Sequence, residues 1–205
     1  PSTTVGYEKI RNWAFQLLDD EKAFTQTLLE DQPEPPRYFA KMKQLNKIER
    51  KLLTEVPEIR HLNKNEFKDI LHGEMPIIDT RTPEAFADGF LSRSLNIENN
   101  NSFPTWMGWY MDYDKPFALI AMPDEIEDLS RKLMRIGLDN VFGYISPSEL
   151  KEISDLAFNK EAPIGKEAVK EKVVNQNAQI IDVRGASEYK KGHIDGSINL
   201  FVGKL

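Results

Sequence analysis

The chain has 205 residues, of which 40% are hydrophobic and 29% are charged, and its formal net charge is −6. These values are typical of a globular protein with one or two modest domains. The acidic balance disfavours a nucleic-acid partner, and no apolar run is long enough to span a membrane. The chain has no cysteine, which excludes disulfides, thiolate metal sites and a cysteine nucleophile. The N-terminal residues contain neither a signal peptide nor an initiator methionine, so we expect a portion of a longer protein.

Residues 1–53 are predicted to be helical. Apolar residues recur at helical spacing in two stretches, which we expect to form a two-helix hairpin packed on a core. The first stretch has Ile10, Trp13, Leu17, Phe24 and Leu28, and the second has Tyr38, Met42, Leu45, Ile48 and Leu52. The proline-rich run at 32–36 separates the stretches, because proline lacks an amide donor and clashes with the preceding turn.

From Ile59 onward, helices alternate with short apolar strands. Strands are predicted at 77–78, 94–97, 117–121 and 140–145. A capping box of Asn63 and Glu66 begins a helix that ends near 71, and a helix at 125–136 is stopped by Gly137. Ser146 at the N-cap and Glu149 at the third helical position begin another helix. This alternation indicates an open α/β domain with a parallel sheet flanked by helices.

The segment NNNSFPTWMGWYMDYDKP after the second strand brings four aromatic residues into a polar setting. They are Trp106, Trp109, Tyr110 and Tyr113. The segment is either a binding patch or a loop that folds its own aromatics beneath itself, and we expect the loop. Its role stays open.

One stretch of the sequence occurs twice. QIIDVRGASEYKKGHIDGSINL at 179–200 aligns without a gap with PIIDTRTPEAFADGFLSRSLNI at 76–97. The identical positions are Ile77, Ile78, Asp79, Arg81, Gly89, Ser94 and Asn96, which recur as Ile180, Ile181, Asp182, Arg184, Gly192, Ser197 and Asn199. A spacing of about a hundred residues implies two copies of a domain.

The later copy resembles the opening of a rhodanese (sulfurtransferase) domain. The matching residues are Asp182, Arg184, Glu188, Tyr189, Gly192, His193, Ile194, Gly196 and Asn199. We expect Asp182, Arg184, Glu188 and His193 to be structural polar residues of this signature, although a functional role is the alternative. The earlier copy has Phe90 where the family pattern has histidine.

The resemblance also identifies the place of the missing nucleophile. In a rhodanese, the turn after the strand at 117–121 holds the cysteine that takes up sulfur as a persulfide. Here that loop is degenerate and consists of Ala121, Met122, Pro123, Asp124 and Glu125. Its carboxylates, with Glu127 and Asp128, would repel thiosulfate. We therefore expect a pseudorhodanese, a degenerate domain without catalytic residues, and the missing cysteine equally excludes a cysteine-dependent phosphatase.

The second copy begins near Ile164, and only its opening lies within the chain. An incomplete parallel sheet has an exposed edge, so we expect this part to be poorly stable alone or to be completed by another chain, as in domain swapping.

Residues 1–46 resemble the helical C-terminal end of a metallo-β-lactamase-fold hydrolase of the persulfide dioxygenase and glyoxalase II-like branch. The matching words are PSTTVGYEK, NWA and QPEPPRYFAKMKQLN. That superfamily holds its metal through an HxHxDH motif, which this chain lacks. His61, His72 and His193 do not have ligand spacing, so we expect no metal in this chain.

The order of these parts resembles bacterial fusions of a persulfide dioxygenase with two rhodanese domains. We accordingly divide the chain into a metallo-β-lactamase-like tail (1–53), a pseudorhodanese (59–158) and the start of a second rhodanese domain (162–205). The resemblance implies that a missing upstream domain holds mononuclear Fe(II), or zinc in a hydrolase relative, and oxidises a small thiol persulfide with O₂. A downstream cysteine would then pass sulfur to sulfite, giving thiosulfate in cytoplasmic sulfide detoxification.

On this interpretation the parent protein is an enzyme, and the chain alone is an inert scaffold. Its partners are the missing portions of the same protein, and the parent protein takes a small thiol persulfide as its substrate. We expect a homo-oligomer that binds neither nucleic acid nor a membrane. Two alternatives stay open: a fragment of a tandem thiosulfate sulfurtransferase, and a module that binds a partner or oligomerises through the Trp106–Tyr113 segment. The thiol carrier and the origin of the truncation also stay open.

Overall fold

A parallel four-stranded sheet lies at the centre of the α/β fold. The computed structural model describes residues 2–30, 32, 34–49, 52–176 and 178–204. The strands are β1 (Ile77–Asp79), β2 (Ser94–Asn96), β3 (Phe117–Ile120) and β4 (Val141–Ile145), in the order β2-β1-β3-β4. A parallel bridge between His61 and Tyr144 extends the sheet beyond β4.

Short helices precede, connect and follow these strands. They are α1 (Val5–Arg11), α2 (Trp13–Gln16), α3 (Glu21–Leu29), α4 (Tyr38–Leu45), α5 (Lys64–His72), α6 (Pro83–Ala87), α7 (Phe103–Tyr110), α8 (Ile126–Arg135), α9 (Pro147–Lys151), α10 (Lys166–Gln176) and α11 (Ala186–Lys191). Strands β5 (Ile181–Asp182) and β6 (Ile198–Asn199) form a second, parallel pair. None of the helices described is both long enough and apolar enough to cross a membrane.

The chain forms two compact units: residues 35–179, and residues 1–34 together with 180–205. The first unit contains the four-stranded sheet and also α4, which the sequence analysis grouped with the preceding segment. The family assignments of the three predicted segments stay predictions.

The core of the first unit covers both faces of the sheet. Ile78 and Leu119 belong to one buried cluster, which includes Phe103 of α7, whereas Ile77 and Ile120 belong to the opposite cluster. Every residue of β1 and β3 is buried. This burial on both faces is what a parallel sheet requires, since its crossover helices cover both sides.

The predicted helix boundaries of this unit are confirmed. Asn63 forms a capping box with Glu66 at the start of α5, and Ser146 forms one with Glu149 at the start of α9. Gly137 adopts a φ of 66° after α8, where the Leu138 amide bonds back to the Leu133 carbonyl at 3.1 Å. Glycine suits this left-handed position because it has no Cβ atom.

The predicted two-helix hairpin at 1–53 is wrong. The Asn12 side chain accepts from the Ala14 amide and the Asp20 side chain from the Ala23 amide, so each polar residue begins a new short helix. None of the described residues of α1–α4 is fully buried. The second predicted helix ends at Leu45, while Pro33 of the predicted interruption lies outside the described residues.

The predicted aromatic loop is also wrong, because residues 103–110 form helix α7. Pro104 lies in its first turn, where a missing amide donor does no harm. Four of its residues are buried: Phe103, Met107, Gly108 and Trp109. Tertiary burial therefore overrides the loop-like composition of this segment.

Candidate functional site

The carboxyl end of β1 holds a buried ion pair. The Asp79 side chain is fully buried, and the Arg81 side chain is 14% exposed. Arg81 Nε donates to the two Asp79 carboxylate oxygens at 2.9 and 3.1 Å, and its Nη2 donates at 2.6 Å. Nη2 also donates to the Gly89 carbonyl at 2.8 Å. This bidentate pair fastens the end of the strand to the loop that follows α6.

Asp182 and Arg184 repeat this geometry at the end of β5. Arg184 Nε donates to the Asp182 carboxylate at 3.0 and 3.2 Å, and its Nη2 donates at 2.6 Å to that carboxylate and at 2.9 Å to the Gly192 carbonyl. Hydrogen bonds from the Arg184 side chain and amide hold the pKa of Asp182 below its ordinary value. The Arg184 side chain is 45% exposed, so water reaches this pair. Its structural role stays a prediction.

An asparagine completes the motif in each copy. The Asn96 side chain donates to the carbonyls of Asp79 and Arg81 at 2.9 and 2.8 Å. Asn199 makes the two corresponding hydrogen bonds at 3.0 and 2.8 Å. The repeated residues thus form one hydrogen-bonded unit that includes both main chain and side chains.

His193 and Glu188 lie on the helix side of the second motif. The His193 ring stacks on the Tyr189 ring with centroids 3.8 Å apart, and His193 Nδ1 lies 2.8 Å from the Tyr189 carbonyl oxygen. In the first copy Phe86 and Phe90 stack in the same way at 4.5 Å. Glu188 lies in the first turn of α11. His193 and its counterpart Phe90 therefore make the same kind of ring stack with the aromatic residue four positions earlier.

The degenerate loop follows β3 at the same edge of the sheet. Ala121 is fully buried, and its amide donates to the Ile145 carbonyl at 3.1 Å, whereas Met122 is 47% exposed. Pro123–Glu125 then forms a turn of 3-10 helix that leads into α8. The exposed side chain at the strand end is therefore a thioether, which has no proton to lose and cannot form a persulfide.

A polar network that the sequence analysis missed lies beside this loop. Asn99 donates to the Glu125 carboxylate at 3.2 Å and accepts from Lys132 at 2.6 Å. Lys132 also pairs with Asp128 at 2.8 Å, and its hydrogen bond holds the pKa of Asp128 below its ordinary value. The spacing of Asp128 and Lys132 by four helical residues was the available sequence signal. The cation beside the loop is thus engaged by internal acceptors.

The Trp106–Tyr113 segment packs against the buried cluster that contains Phe103 and Leu119. The Trp106 and Tyr110 rings stack with centroids 6.2 Å apart. Tyr113 donates its hydroxyl to the Ile136 carbonyl at 2.7 Å, and burial raises its pKa to about 12. The segment therefore packs against α8 through Tyr113.

The histidines do not converge. His61 Nε2 lies 2.8 Å from a carboxylate oxygen of Glu149 in the α9 capping box, and its ring packs against Tyr144. Within the part of the chain that the structure describes, no three His, Asp or Glu side chains are placed to hold one metal ion.

Comparisons with known proteins agree with the repeated motif. Residues 166–204 match the family model of the rhodanese-like domain, so the C-terminal part of the chain is a rhodanese-like domain sequence. Comparison with curated proteins gives no match.

Among solved structures, a metallo-β-lactamase from Staphylococcus aureus subsp. aureus COL is similar, with 32% identity and a TM-score of 0.61 over 72% of this chain and 41% of that chain. The chain therefore spans about two fifths of the length of this relative. Two weaker similarities are a rhodanese-related protein from Thermoplasma volcanium (20% identity, TM-score 0.39, 50% of this chain and 99% of that chain) and an anaerobic ergothioneine biosynthesis enzyme from Chlorobium limicola (13%, 0.44, 70% and 41%).

Proposed function

We propose that this chain is the scaffold portion of a persulfide dioxygenase–sulfurtransferase and that its first rhodanese-like copy performs no chemistry. The observation that carries the proposal is the end of β3, where Met122 is the exposed side chain and Ala121 is buried. A sulfurtransferase of this fold needs a thiolate at that loop, stabilised by amides and a helix N-terminus. The carboxylates of Asp124 and Glu125 give the loop the opposite electrostatic character.

The similarity to a metallo-β-lactamase at 32% identity supports the assignment of the parent protein. In the proposed reaction, one thiol persulfide reacts with O₂ and water to give the free thiol, sulfite and two protons. A second persulfide then transfers its outer sulfur to sulfite, which releases the thiol and forms thiosulfate. We place this reaction in the cytoplasm, where a small thiol is the sulfur carrier.

The described residues of this chain provide no candidate for the metal site of that reaction. Its described His, Asp and Glu side chains form no three-residue group for a metal. We propose that a preceding domain of the parent protein holds the iron and that no catalytic step falls on the residues of this chain.

The test compares this chain with the longer protein that contains it. With glutathione persulfide and O₂, we expect the longer protein to bind iron, consume O₂ and release sulfite and thiosulfate. In that protein, Met122→Ala and Glu125→Gln should leave unchanged the kcat of the dioxygenase reaction and the kcat of thiosulfate formation. A loss of thiosulfate formation in either variant, with normal iron content and folding, would show that the degenerate loop takes part in the chemistry.

A second candidate function is that of an oligomerisation module. Three apolar side chains of the repeated stretch at 179–200 are more than half exposed: Ile181, Ile194 and Ile198. An exposed apolar patch of this kind is a common feature of interaction sites. Sedimentation of the longer protein separates the readings, because replacing these three residues by Thr would dissociate an oligomer only if they form its interface. A tandem sulfurtransferase fragment would lack iron and dioxygenase activity altogether.

A further inference from the structure

One face of α4 lies against the α/β domain. Tyr38, Lys41, Met42 and Leu45 are half-buried, whereas Phe39 on another face is 47% exposed. The spacing of the four half-buried residues is that of a single helical stripe. Tyr38 and Met42 pack against the core cluster that contains Phe103 and Met107 of α7. The helix is therefore attached to α7 along a narrow stripe.

Gly108 of α7 provides the space for Tyr38. A Cβ atom at this position would lie 2.2 Å from Tyr38 Cδ1, 2.6 Å from its Cγ and 2.9 Å from its Cβ. These are atoms of the ring and its base, which cannot move away as the end of a flexible side chain can. Any residue other than glycine would therefore displace Tyr38 or α7. Gly6, the glycine of α1, has no such neighbour within 4 Å.

Two contacts extend this fit along α4. Lys41 Nζ lies 5.4 Å from the centroid of the Tyr113 ring, within the range of a cation–π interaction. The Tyr113 ring is itself held by its hydroxyl, which donates to the Ile136 carbonyl at 2.7 Å. We name this surface the Gly108 seat, defined by Gly108 and Tyr113 and occupied by Tyr38 and Lys41.

We propose that the Gly108 seat is an interaction surface on which the degenerate rhodanese-like domain binds the segment that precedes it, residues 35–45. The occupant is an amphipathic helix that presents an aromatic residue, a lysine three positions later and a methionine after that. The seat thereby holds residues 35–45 against α7. This inference rests on the proposed scaffold function, for which the Gly108 seat would be a point of attachment. The test of the inference does not depend on any catalytic activity.

Whether Gly→Ala stabilises or destabilises the packing of α4 distinguishes this role from the effect of helix propensity. In an open helix, Gly→Ala stabilises because alanine has the higher helix propensity. At Gly108 the added methyl group would instead expel Tyr38 and release α4. Gly6→Ala in α1 is the matched control, since its methyl group would meet only open space.

The cysteine-free chain allows a direct measurement. Met42→Cys places a half-buried thiol on α4, and its labelling rate by a small maleimide reports detachment of the helix. We expect Gly108→Ala to raise this rate at least about tenfold, which corresponds to about 1.4 kcal/mol. Gly6→Ala should leave it unchanged, and a thiol at the exposed Lys43 should be labelled at the same rate in every background.

A double-mutant cycle protects the test against a general disturbance of α7. Tyr38→Ala leaves α7 intact and should also accelerate labelling at position 42. Gly108→Ala added to Tyr38→Ala should cause no further acceleration, since the methyl group then has no ring to displace. The proposal is overturned if Tyr38→Ala does not accelerate labelling, or if the effects of the two substitutions simply add. Loss of the scaffold function with an intact cycle would contradict only the proposed function.

Discussion

The two copies of the repeated motif have the same hydrogen bonds and very different burial. The arginine Nη2 atom lies 2.6 Å from its aspartate in both copies. Yet Ile78 is fully buried, and its counterpart Ile181 is 53% exposed. Leu91 is 4% exposed, and its counterpart Ile194 is 57% exposed.

The difference shows which part of the motif is local. All the shared hydrogen bonds join residues within one stretch of about twenty positions, so both partners of each bond are local in sequence. Burial of Ile78 needs β3, β4 and α7, which come from more distant sequence. Among the described residues, β5 pairs with β6 and with no third strand. The motif is therefore a local hydrogen-bonded unit whose apolar side chains depend on tertiary partners.

The largest expected effect is the loss of stability when Arg81 is removed from the buried pair, compared with removal of Arg184 from the exposed pair. Arg81→Ala would leave the Asp79 carboxylate buried without its partner, and we expect a loss of about 3–5 kcal/mol in the free energy of unfolding. Arg184→Ala should cost far less, because water reaches that pair. Urea unfolding followed by the fluorescence of Trp106 and Trp109 for the first copy, and by NMR for the second, measures both. Equal losses would mean that burial does not distinguish the pairs.

The apolar positions provide the next contrast. Ile78→Ala creates a cavity in a fully buried cluster and should cost about 2–5 kcal/mol. Ile181→Ala removes a side chain that is already half in water and should change stability by no more than about 0.5 kcal/mol. Thermal unfolding of the two variants beside the parent chain tests this. A large loss at Ile181 would indicate that a partner covers it in solution.

A smaller effect concerns two tyrosines that make the same hydrogen bond. Tyr113 and Tyr189 each donate to a main-chain carbonyl at 2.7 Å, and either Tyr→Phe change should cost about 1 kcal/mol at neutral pH. The pKa of folded Tyr113 is raised to about 12, above the unfolded value of about 10. Its contribution is therefore complete below about pH 10 and is lost as the pH rises towards 12.

The free energy of unfolding of the unsubstituted chain and of Tyr113→Phe, measured from pH 9 to pH 12, checks the direction of this pH dependence. The loss of stability over this interval should be smaller in the variant. Tyr110, whose pKa is also raised by burial, is present in both chains and so cancels in the comparison. Identical pH profiles would contradict the raised pKa.

The features that could be predicted from sequence are those that depend on near neighbours. Capping boxes at Asn63 and Ser146 were predictable because their donors and acceptors lie within three residues. Helix α7 was not, since proline, glycine and asparagine obscure a segment that tertiary burial makes helical. The approach of Tyr38 to Gly108 joins positions seventy residues apart, and a single sequence has no signal for it.

In the candidate site, too, features that depend on near neighbours in sequence could be predicted, and contacts between distant residues could not. The degenerate role of the loop at 121–125 stays a prediction from the resemblance, and the structure shows that this loop directly follows β3. The engagement of Lys132 by Asn99 could not be predicted, since the two residues come from separate elements of the fold. That network pairs Lys132 with Asp128 and Asn99 beside the loop.

The proposed scaffold function implies that the loop after β3 has neither the nucleophile nor the surroundings that a sulfur anion needs. The decisive measurement is intact-mass spectrometry of the Met122→Cys chain after incubation with thiosulfate. Because position 122 is exposed, we predict that the new thiol is alkylated by iodoacetamide but gains no sulfur, and that Ala121→Cys resists alkylation until the chain unfolds. A persulfide formed on Met122→Cys would contradict the account and show that only the cysteine had been lost.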